Sequence, residues 1–413
     1  MVVMGEGEGE GENGEGQYEG QGQAAPGMAE LARDLRALGA QAGLAAVGFA
    51  PARPLTRARH DIETRKAAGL HGGMHFTYGN PARSTAPALA LPDGDASTLV
   101  VAARSYRKAQ PVPPAQPGRH GMVARYSWAD EYKPLRAALA LLADRLRAEG
   151  FKAVVLVDDN ALVDREAAFQ AGLGWYGKNA NLLVPGAGSY VVLGSLVTDA
   201  PLPTTDPANT PDPSASTAAG CGACTRCLPA CPTGALIAPG VLDAGRCLAW
   251  LLEAPGSFPL EFRAALGGRV YGCDDCQEAC PPNRAVDRRD PPPSMAADDQ
   301  PFVDLVELLD MSDADLLRCF ERWYVPRRQA RYLRRNALVA LGNVGDQSDP
   351  DVRRVVASAQ ADPDPIVREH ADWAATRLGL AAFSPAPATA PAPATAPAPA
   401  TAPAPATAPV PAR

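Results

Sequence analysis

The sequence predicts three successive parts: an N-terminal domain of the α/β or α+β class, a compact cysteine-rich module, and a C-terminal array of helices. Three observations carry the prediction. Helix-like and strand-like apolar patterns alternate from Met28 to Thr198, and eight of the nine cysteines fall between Cys221 and Cys280. Toward the end, Leu333-Arg334-x-x-Ala337-x-x-Ala340 recurs 34 residues later as Val367-Arg368-x-x-Ala371-x-x-Ala374, a spacing that suggests stacked helical repeats of the HEAT kind. At 413 residues the chain has room for two or three cores.

Taken in order, residues 1–27 are a Gly/Glu/Gln tract that cannot bury apolar area and is expected to be disordered. Six glutamates in it (Glu6, Glu8, Glu10, Glu12, Glu15 and Glu19) supply most of the formal charge of −7, so the body is close to neutral. Met28 is a candidate start of translation and opens a helix to about Ala40 through Leu31, Leu35 and Leu38. Leu44–Ala50 reads as a buried strand, Thr98–Ala103 as a second and Ala153–Val157 as a third, with a helix from Pro134 to about Glu149 before the last. Gly69–Met74 reads as a polar loop, of the kind that covers a ligand or simply turns. Asp158 follows four apolar strand residues. A carboxyl there can be pushed toward its neutral form and donate a proton, or can cap the next helix. Loops at the carboxyl ends of parallel strands are also where ligands gather.

The run from Gly172 to Lys178 is neither G-x-G-x-x-G nor a phosphate loop, which excludes a dinucleotide or ATP site at that place. Ser189–Thr198 is β-rich, and residues 201–219 read as a Pro/Thr/Ser linker. The domain expected on this basis spans 28–200.

The module over 220–290 opens with Cys221-x2-Cys224-x2-Cys227-x3-Cys231-Pro232. In that spacing three cysteines ligate one [4Fe–4S] cluster and the fourth serves a second. A partner run, Cys273-x2-Cys276-x3-Cys280-Pro281, lacks one cysteine, which Cys247 can supply. Chain crossing then assigns Cys221, Cys224, Cys227 and Cys280 to one cluster and Cys231, Cys247, Cys273 and Cys276 to the other. A zinc site would need only four of these, and disulfides suit an exported protein. Cys319 reads as a small buried apolar residue of a helix.

Beyond 290 the chain reads as helical over 300–380: Val303–Met311, then Ser312 as a cap with Asp315, then the repeated pair. Between Arg318 and Arg335 seven arginines face one acid, with Trp323, Tyr324 and Tyr332 interleaved, a composition that suits RNA phosphates and unstacked bases as well as a solvated helix face. Residues 384–413 are Pro/Ala/Thr repeats, expected to be disordered. With no long apolar span and no basic-then-apolar start, the expectation is a cytoplasmic protein not held in a membrane.

Val157-Asp158 through Arg165, Gly172-Leu-Gly-Trp-Tyr-Gly-Lys178, Cys231-Pro-Thr-Gly-Ala235, Tyr271-Gly-Cys-Asp-Asp-Cys-Gln277 and Arg335-Asn-Ala through Asn343 together resemble the epoxyqueuosine reductases. The resemblance runs from about Met28 to Leu380. It departs at Ala161 and Asp164, where the family has Pro and Glu, and in the loop Leu248–Glu253. It implies a nitroreductase-like cobalamin domain, a ferredoxin-like two-cluster module and HEAT-like helices. The implied oxidoreductase removes the epoxide oxygen of epoxyqueuosine at the wobble position of a tRNA with a GUN anticodon. Base-off cobalamin does this, fed by two [4Fe–4S] clusters and an electron donor such as flavodoxin or ferredoxin. The resemblance makes Asp158 the proton donor and places corrinoid contacts at Arg83, Arg125, Leu182, Leu193 and Pro239. Arg327, Arg328, Arg331, Arg334 and Arg335 are the expected tRNA contacts, and a monomer is the simplest expectation. The rival readings are a reductive dehalogenase-like reductase of a small molecule, which would usually carry an export signal, and a two-cluster electron carrier, which would have no use for the long N-terminal domain.

Overall fold

The computed structural model describes residues 26–205 and 213–380, apart from 92 and 94. Residues 1–25 and 381–413, where both terminal tails are expected, lie outside the described residues, as do residues 206–212 of the expected linker. Helix α1 (Pro26–Gln41) starts two residues inside the first of those expected tails. It leads into β1 (Ala46–Pro51) and, after short helices, β2 (Thr98–Ser105). Next come β3 (His120–Val123), helix α2 (Tyr132–Ala148) and β4 (Ala153–Val157). Helix α3 (Asp164–Gln170), the small hairpin of β5 (Trp175–Tyr176) and β6 (Leu182–Leu183), and β7 (Val191–Thr198) complete the domain.

The main sheet has the order β1-β2-β7-β4, and each neighbouring pair is antiparallel. Helices cover both faces, so β2 is buried along most of its length. Val100 and Ala102 pack under α1 and α2 with Leu35, Leu139 and Leu142, while Leu99, Val101 and Ala103 face α3 with Phe169. The strand positions read from the sequence agree with the structure, but their direction makes the domain α+β. The parallel-strand argument for Asp158 therefore does not apply: β4 is an edge strand antiparallel to β7.

In the cysteine-rich module, α4 (Pro213–Cys221) occupies part of the segment expected to be linker. The hairpin β8 (Leu236–Ala238) and β9 (Val241–Leu242), helix α5 (Leu248–Glu253), β10 (Arg269–Tyr271) and α6 (Pro281–Arg289) follow. The C-terminal part opens with a strand, β11 (Phe302–Asp304), where the sequence suggested helix from Val303. Ser312 then caps α7 (Asp313–Cys319) by accepting a 3.2 Å bond from the Asp315 amide, as the spacing predicts. Cys319 is exposed, a correction to its expected burial, because α7 turns its apolar Leu316 inward and its last turn outward. Helices α8 (Arg331–Val344), α9 (Pro350–Gln360) and α10 (Pro365–Leu378) stack, and the repeated Leu333, Ala337, Ala340 and Val367, Ala371, Ala374 are all buried.

A second sheet, β10-β3-β11, joins the parts. Met122 of β3 pairs with Arg269 of β10 in parallel and with Phe302 of β11 antiparallel. Gly121 is required at the crossing, since a Cβ there would lie 2.7 Å from Leu305. The polar loop near Gly72 also docks on the cysteine-rich module: Trp250 Nε1 donates to the Gly72 carbonyl at 2.6 Å, and the Ala244 amide to Leu70 O at 2.9 Å.

Candidate functional site

Cys221, Cys224, Cys227 and Cys280 line one cavity of about 150 Å³, together with Gly177, Lys178, Asn179, Gly220, Pro281 and Pro282. The Gly-rich run before Lys178 thus forms a wall of a thiol-lined cavity. Gly220 is needed to close it, because a Cβ would meet Trp175 Nε1 at 2.2 Å. Burial, then the neighbouring Cys221, Cys227 and Cys224, pushes the bare Cys280 thiol up to about 11.

The remaining cysteines gather behind this cavity. Cys276 is raised first by burial, then by Cys247, with Cys231 and Cys227 also in electrostatic reach, and Cys273 packs beside Leu248. At Cys231 burial raises the thiol, but the amides of Thr233, Leu236 and Ala235 outweigh it and hold it below the usual range. The Ala235 amide donates to its sulfur at 3.2 Å. The turn Pro232-Thr-Gly-Ala235 is therefore built to favour a thiolate, the form that ligates metal. Four thiols around one cavity and four more behind it suit a pair of four-cysteine clusters.

Beyond the second thiol group lies a set of acidic side chains, with Glu253 in electrostatic reach of both Cys247 and Asp158. Glu253, the last residue of α5, ends the apolar run that follows Cys247. Burial pushes its carboxyl up to about 7, although the hydroxyls of Tyr126, which donates at 3.1 Å, and Tyr271 work against this. Asp158 is in electrostatic reach of Glu253, of Tyr132 and of Asp164. Asp164, at the start of α3, is pushed up to about 8 by burial and then by the Asp158 charge. Asp158 itself is exposed at the end of β4, with φ +53°. Asp tolerates that left-handed conformation. Arg136 fixes the turn by donating to the Val157 carbonyl at 2.7 Å. The half-buried Asp164 and Glu253 carry raised carboxyls beside Asp158, and α3 is entered from Val163 without a side-chain cap, so Asp158 is not its capping residue.

Aromatic rings cluster beside Glu253, some of them buried in the core. Phe76 lies 5.6 Å from Trp250 and 5.7 Å from Tyr324, His75 is 6.4 Å from Tyr324, and Tyr271 stacks on Trp323 at 4.3 Å. Trp323 and Tyr324 were named from the sequence as rings suited to unstacked bases, whereas His75, Phe76 and Trp250 were not, and Asp164 and Glu253 entered there only within departures from the family pattern. A carboxylate ending the apolar run Leu248–Leu252 was the available signal for Glu253.

Leu182 and Leu193 share one apolar cluster with Leu156, Ala161 and Val163, beside the Asp158 loop. Arg83 is exposed next to them, since the amide of Val163 donates to the neighbouring Ser84 carbonyl at 3.0 Å. Pro239 is exposed at the β8–β9 turn, whose Gly240 carbonyl accepts from Arg65 at 3.3 Å. Arg165 donates to Ala180 O at 3.1 Å. The half-buried Leu193, Ala161 and Val163 with the exposed Arg83 and Arg165 near them are the kinds of group a corrinoid would use, while Leu182 itself is buried. Arg125 is held differently: it is buried over Trp128 and Tyr190, donates to Lys108 O at 2.7 Å, and its Nε has no partner.

The arginine-rich stretch is mostly spent on the fold. Arg335 is 0% exposed and donates to the carbonyls of Leu251, Leu252, Ala254 and Gly256, so it cannot reach an RNA phosphate. Arg334 binds Asp313 and the Met311 carbonyl, Arg331 pairs with Asp364 at 2.9 Å, and Arg328 donates to the Trp323 carbonyl at 3.3 Å. Arg322 and Arg327 remain exposed, on either side of Trp323 and Tyr324 in the sequence.

Residues 220–283 match the 4Fe-4S double cluster binding domain. An epoxyqueuosine reductase of Xanthomonas campestris is 35% identical over 365 residues, covering 86% of this chain and 99% of that protein. A crystal structure of an epoxyqueuosine reductase with an epoxyqueuosine-modified tRNA stem loop superimposes with a TM-score of 0.74 at 30% identity, covering 85% of this chain and 91% of the other. The Bacillus subtilis enzyme, solved with its catalytic aspartate loop swung out of the active site, gives a TM-score of 0.72 at 30% identity, with 85% and 91% covered. Among the described residues no helix is long and apolar enough to cross a membrane. By similarity over most of its length, the chain belongs to the epoxyqueuosine reductase family.

Proposed function

We propose that the chain reduces epoxyqueuosine to queuosine in the anticodon loop of tRNA. Deoxygenation of an epoxide to an alkene takes two electrons and two protons and releases the oxygen as water. The observation that carries the reading is the continuity from the thiol-lined cavity, through the thiols around Cys276, to Glu253 and Asp158.

Cys221, Cys224, Cys227 and Cys280 would hold one [4Fe–4S] cluster, and Cys231, Cys247, Cys273 and Cys276 the second. Leu182, Leu193, Arg83 and Pro239 would hold a corrinoid. When bound, that group supplies the reductive carbon–oxygen chemistry and the clusters supply its electrons. The chain's own residues do the rest. Asp158 is the proton donor to the departing oxygen, on a turn exposed enough to meet a macromolecular substrate. A relative's corresponding loop swings away from its active site, which suits a donor that must admit an RNA.

Asp164 and Glu253 sit beside it with carboxyls that retain protons near neutrality, and they would replenish Asp158. Tyr126 orients Glu253 through its 3.1 Å hydrogen bond. His75, Phe76 and Tyr324, backed by the buried Trp250, offer ring faces for an unstacked base, and Arg322 and Arg327 offer charge for the adjoining phosphates. The stacked C-terminal helices, read as HEAT-like, would form the supporting arm.

The test begins with protein purified without oxygen and incubated with cobalamin. About eight irons and one cobalt per chain are expected. Adding reductant and an epoxyqueuosine-bearing stem loop should convert the base to a product lacking one oxygen by mass spectrometry. Eight irons without bound cobalt would overturn the reductase reading and favour an electron carrier.

A further inference from the structure

The cavity lined by Cys221, Cys224, Cys227 and Cys280 is the outer of the two thiol groups, and its surroundings carry a charge pattern the reaction itself does not use. Cys221 and Cys224 are half-exposed, Gly222 and Ala223 between them are exposed, and so is Thr225 after them. The lining residues and the intervening loop include two cations, Lys178 and Arg226, and no acid. Lys178 is fixed over the loop by donating to the Gly222 carbonyl at 2.7 Å, and Arg226 is exposed between two of the thiols.

Helix α6 extends the pattern. Pro281 lines the cavity, and Arg284 and Arg288 follow on the same face of the helix at helical spacing, both exposed. Pro282 and Arg289 repeat the relation one position on. The acids nearby have basic partners, Asp287 and Asp290 on Arg107 and Glu278 at 3.7 Å from Arg125, although Asp290 and Glu278 keep exposed carboxylates. A basic rim around small side chains thus surrounds this opening on a chain whose body is close to neutral. The second thiol group, by contrast, has Cys247 in electrostatic reach of Glu253, which is itself in reach of Asp158.

We infer that this rim is the docking surface for a small acidic one-electron carrier protein, with Lys178, Arg226, Arg284 and Arg288 steering it onto the outer cluster. The inference rests on the two-cluster reading above. In each encounter the carrier's reduced centre loses one electron and the outer cluster gains it. No bond is made or broken, and two encounters supply one deoxygenation. Opposite charge raises the rate of encounter without a large interface, and short side chains let the partner's redox centre approach.

The experiment compares the reconstituted holoenzyme with the triple variant Arg226→Glu, Arg284→Glu, Arg288→Glu in anaerobic stopped flow. Cluster bleaching is followed with flavodoxin hydroquinone and, separately, with the methyl viologen radical cation. The expected result is a second-order rate with flavodoxin at least about tenfold lower at low salt, a deficit that closes as salt is raised, and a rate with methyl viologen that is unchanged or faster. An unchanged flavodoxin rate would overturn the inference. So would an equal loss with both reductants, which would mean that the arginines serve the cluster and not a partner. A selective loss of stem-loop binding would make the rim an RNA surface and overturn it as well. Normal iron content and methyl viologen reduction in the parent keep the two-cluster reading standing whichever way the rim result falls.

Discussion

Arg335→Ala is the sharpest perturbation the structure suggests, because sequence reading made this residue an RNA contact and the fold gives it another task. Its guanidinium donates to four main-chain carbonyls, those of Leu251, Leu252, Ala254 and Gly256, and to the Asn336 side chain. Hydrogen bonds to charged groups contribute about 1.5–3 kcal/mol each, and a stranded buried acceptor costs about 1–3 kcal/mol. Against this stands the cost of burying a guanidinium without a carboxylate partner among the described residues, seen in its lowering by burial to about 9. Removing the side chain returns that cost, so the net loss should resemble the breaking of a buried polar network, about 3–5 kcal/mol. At about 2–4 °C per kcal/mol in a chain of this size, Tm should fall by roughly 10 °C. Because the stranded carbonyls belong to the end of α5 and the loop beyond it, cluster retention should suffer too. Calorimetry and iron analysis of the variant, with stem-loop affinity normalised to folded protein, make the assay. A variant that melts within about 2 °C of the parent yet binds RNA poorly would refute the reasoning.

Three further outcomes are expected. Asp158→Asn should keep iron, corrinoid and stem-loop binding but lose about 100- to 10,000-fold in turnover; parental turnover would remove Asp158 from the mechanism. Glu253 has a raised carboxyl, so its contribution to stability is complete below about 4.5 and disappears as pH rises through about 7. Glu253→Gln should therefore match the parent near the acid end and be the more stable of the two above that range, as read from Tm against pH; parallel curves would contradict its burial in neutral form. Replacing Arg322 and Arg327 with Gln should weaken stem-loop binding and make the log–log salt slope shallower by about 1.4 for a single-stranded target, whereas an unaltered slope would move the phosphate contacts elsewhere.

The local signals in the sequence were strong where chemistry is local. Thiol spacing brings four cysteines around one cavity, and the β4 boundary at Val157 could be read residue by residue from its apolar run. Strand direction was not legible, because an antiparallel β2 buried on both faces has the same unbroken apolar run as a parallel strand. The arginines illustrate the same limit. Composition could not separate Arg335, buried by α8 against α5, from Arg322 at the surface, since the difference lies in which face a neighbouring segment covers. Asp164 and the loop ending at Glu253 stood out only as departures from the family pattern, and their raised carboxyls were not legible because their environment is assembled from α3, α5 and the Tyr126 loop, which are distant in sequence.

The three-stranded sheet has a consequence for how the protein can be taken apart. Its middle strand, β3, comes from the first domain, and its flanking strands come from the cysteine-rich module and the helical end. Cutting between any two parts leaves β3 with an open edge and strips Gly121 of Leu305, and of Val270 as well when the cut precedes the cysteine-rich module. None of the three is therefore a free-standing cassette that can be swapped between proteins. The late-synthesised β11 must return across much of the chain to close a ladder begun by β3, so final closure awaits the C-terminal third of the polypeptide. Assembly is then gated by the last element made, and a ribosome-bound fragment ending before Phe302 would carry its cysteines on an unfinished scaffold.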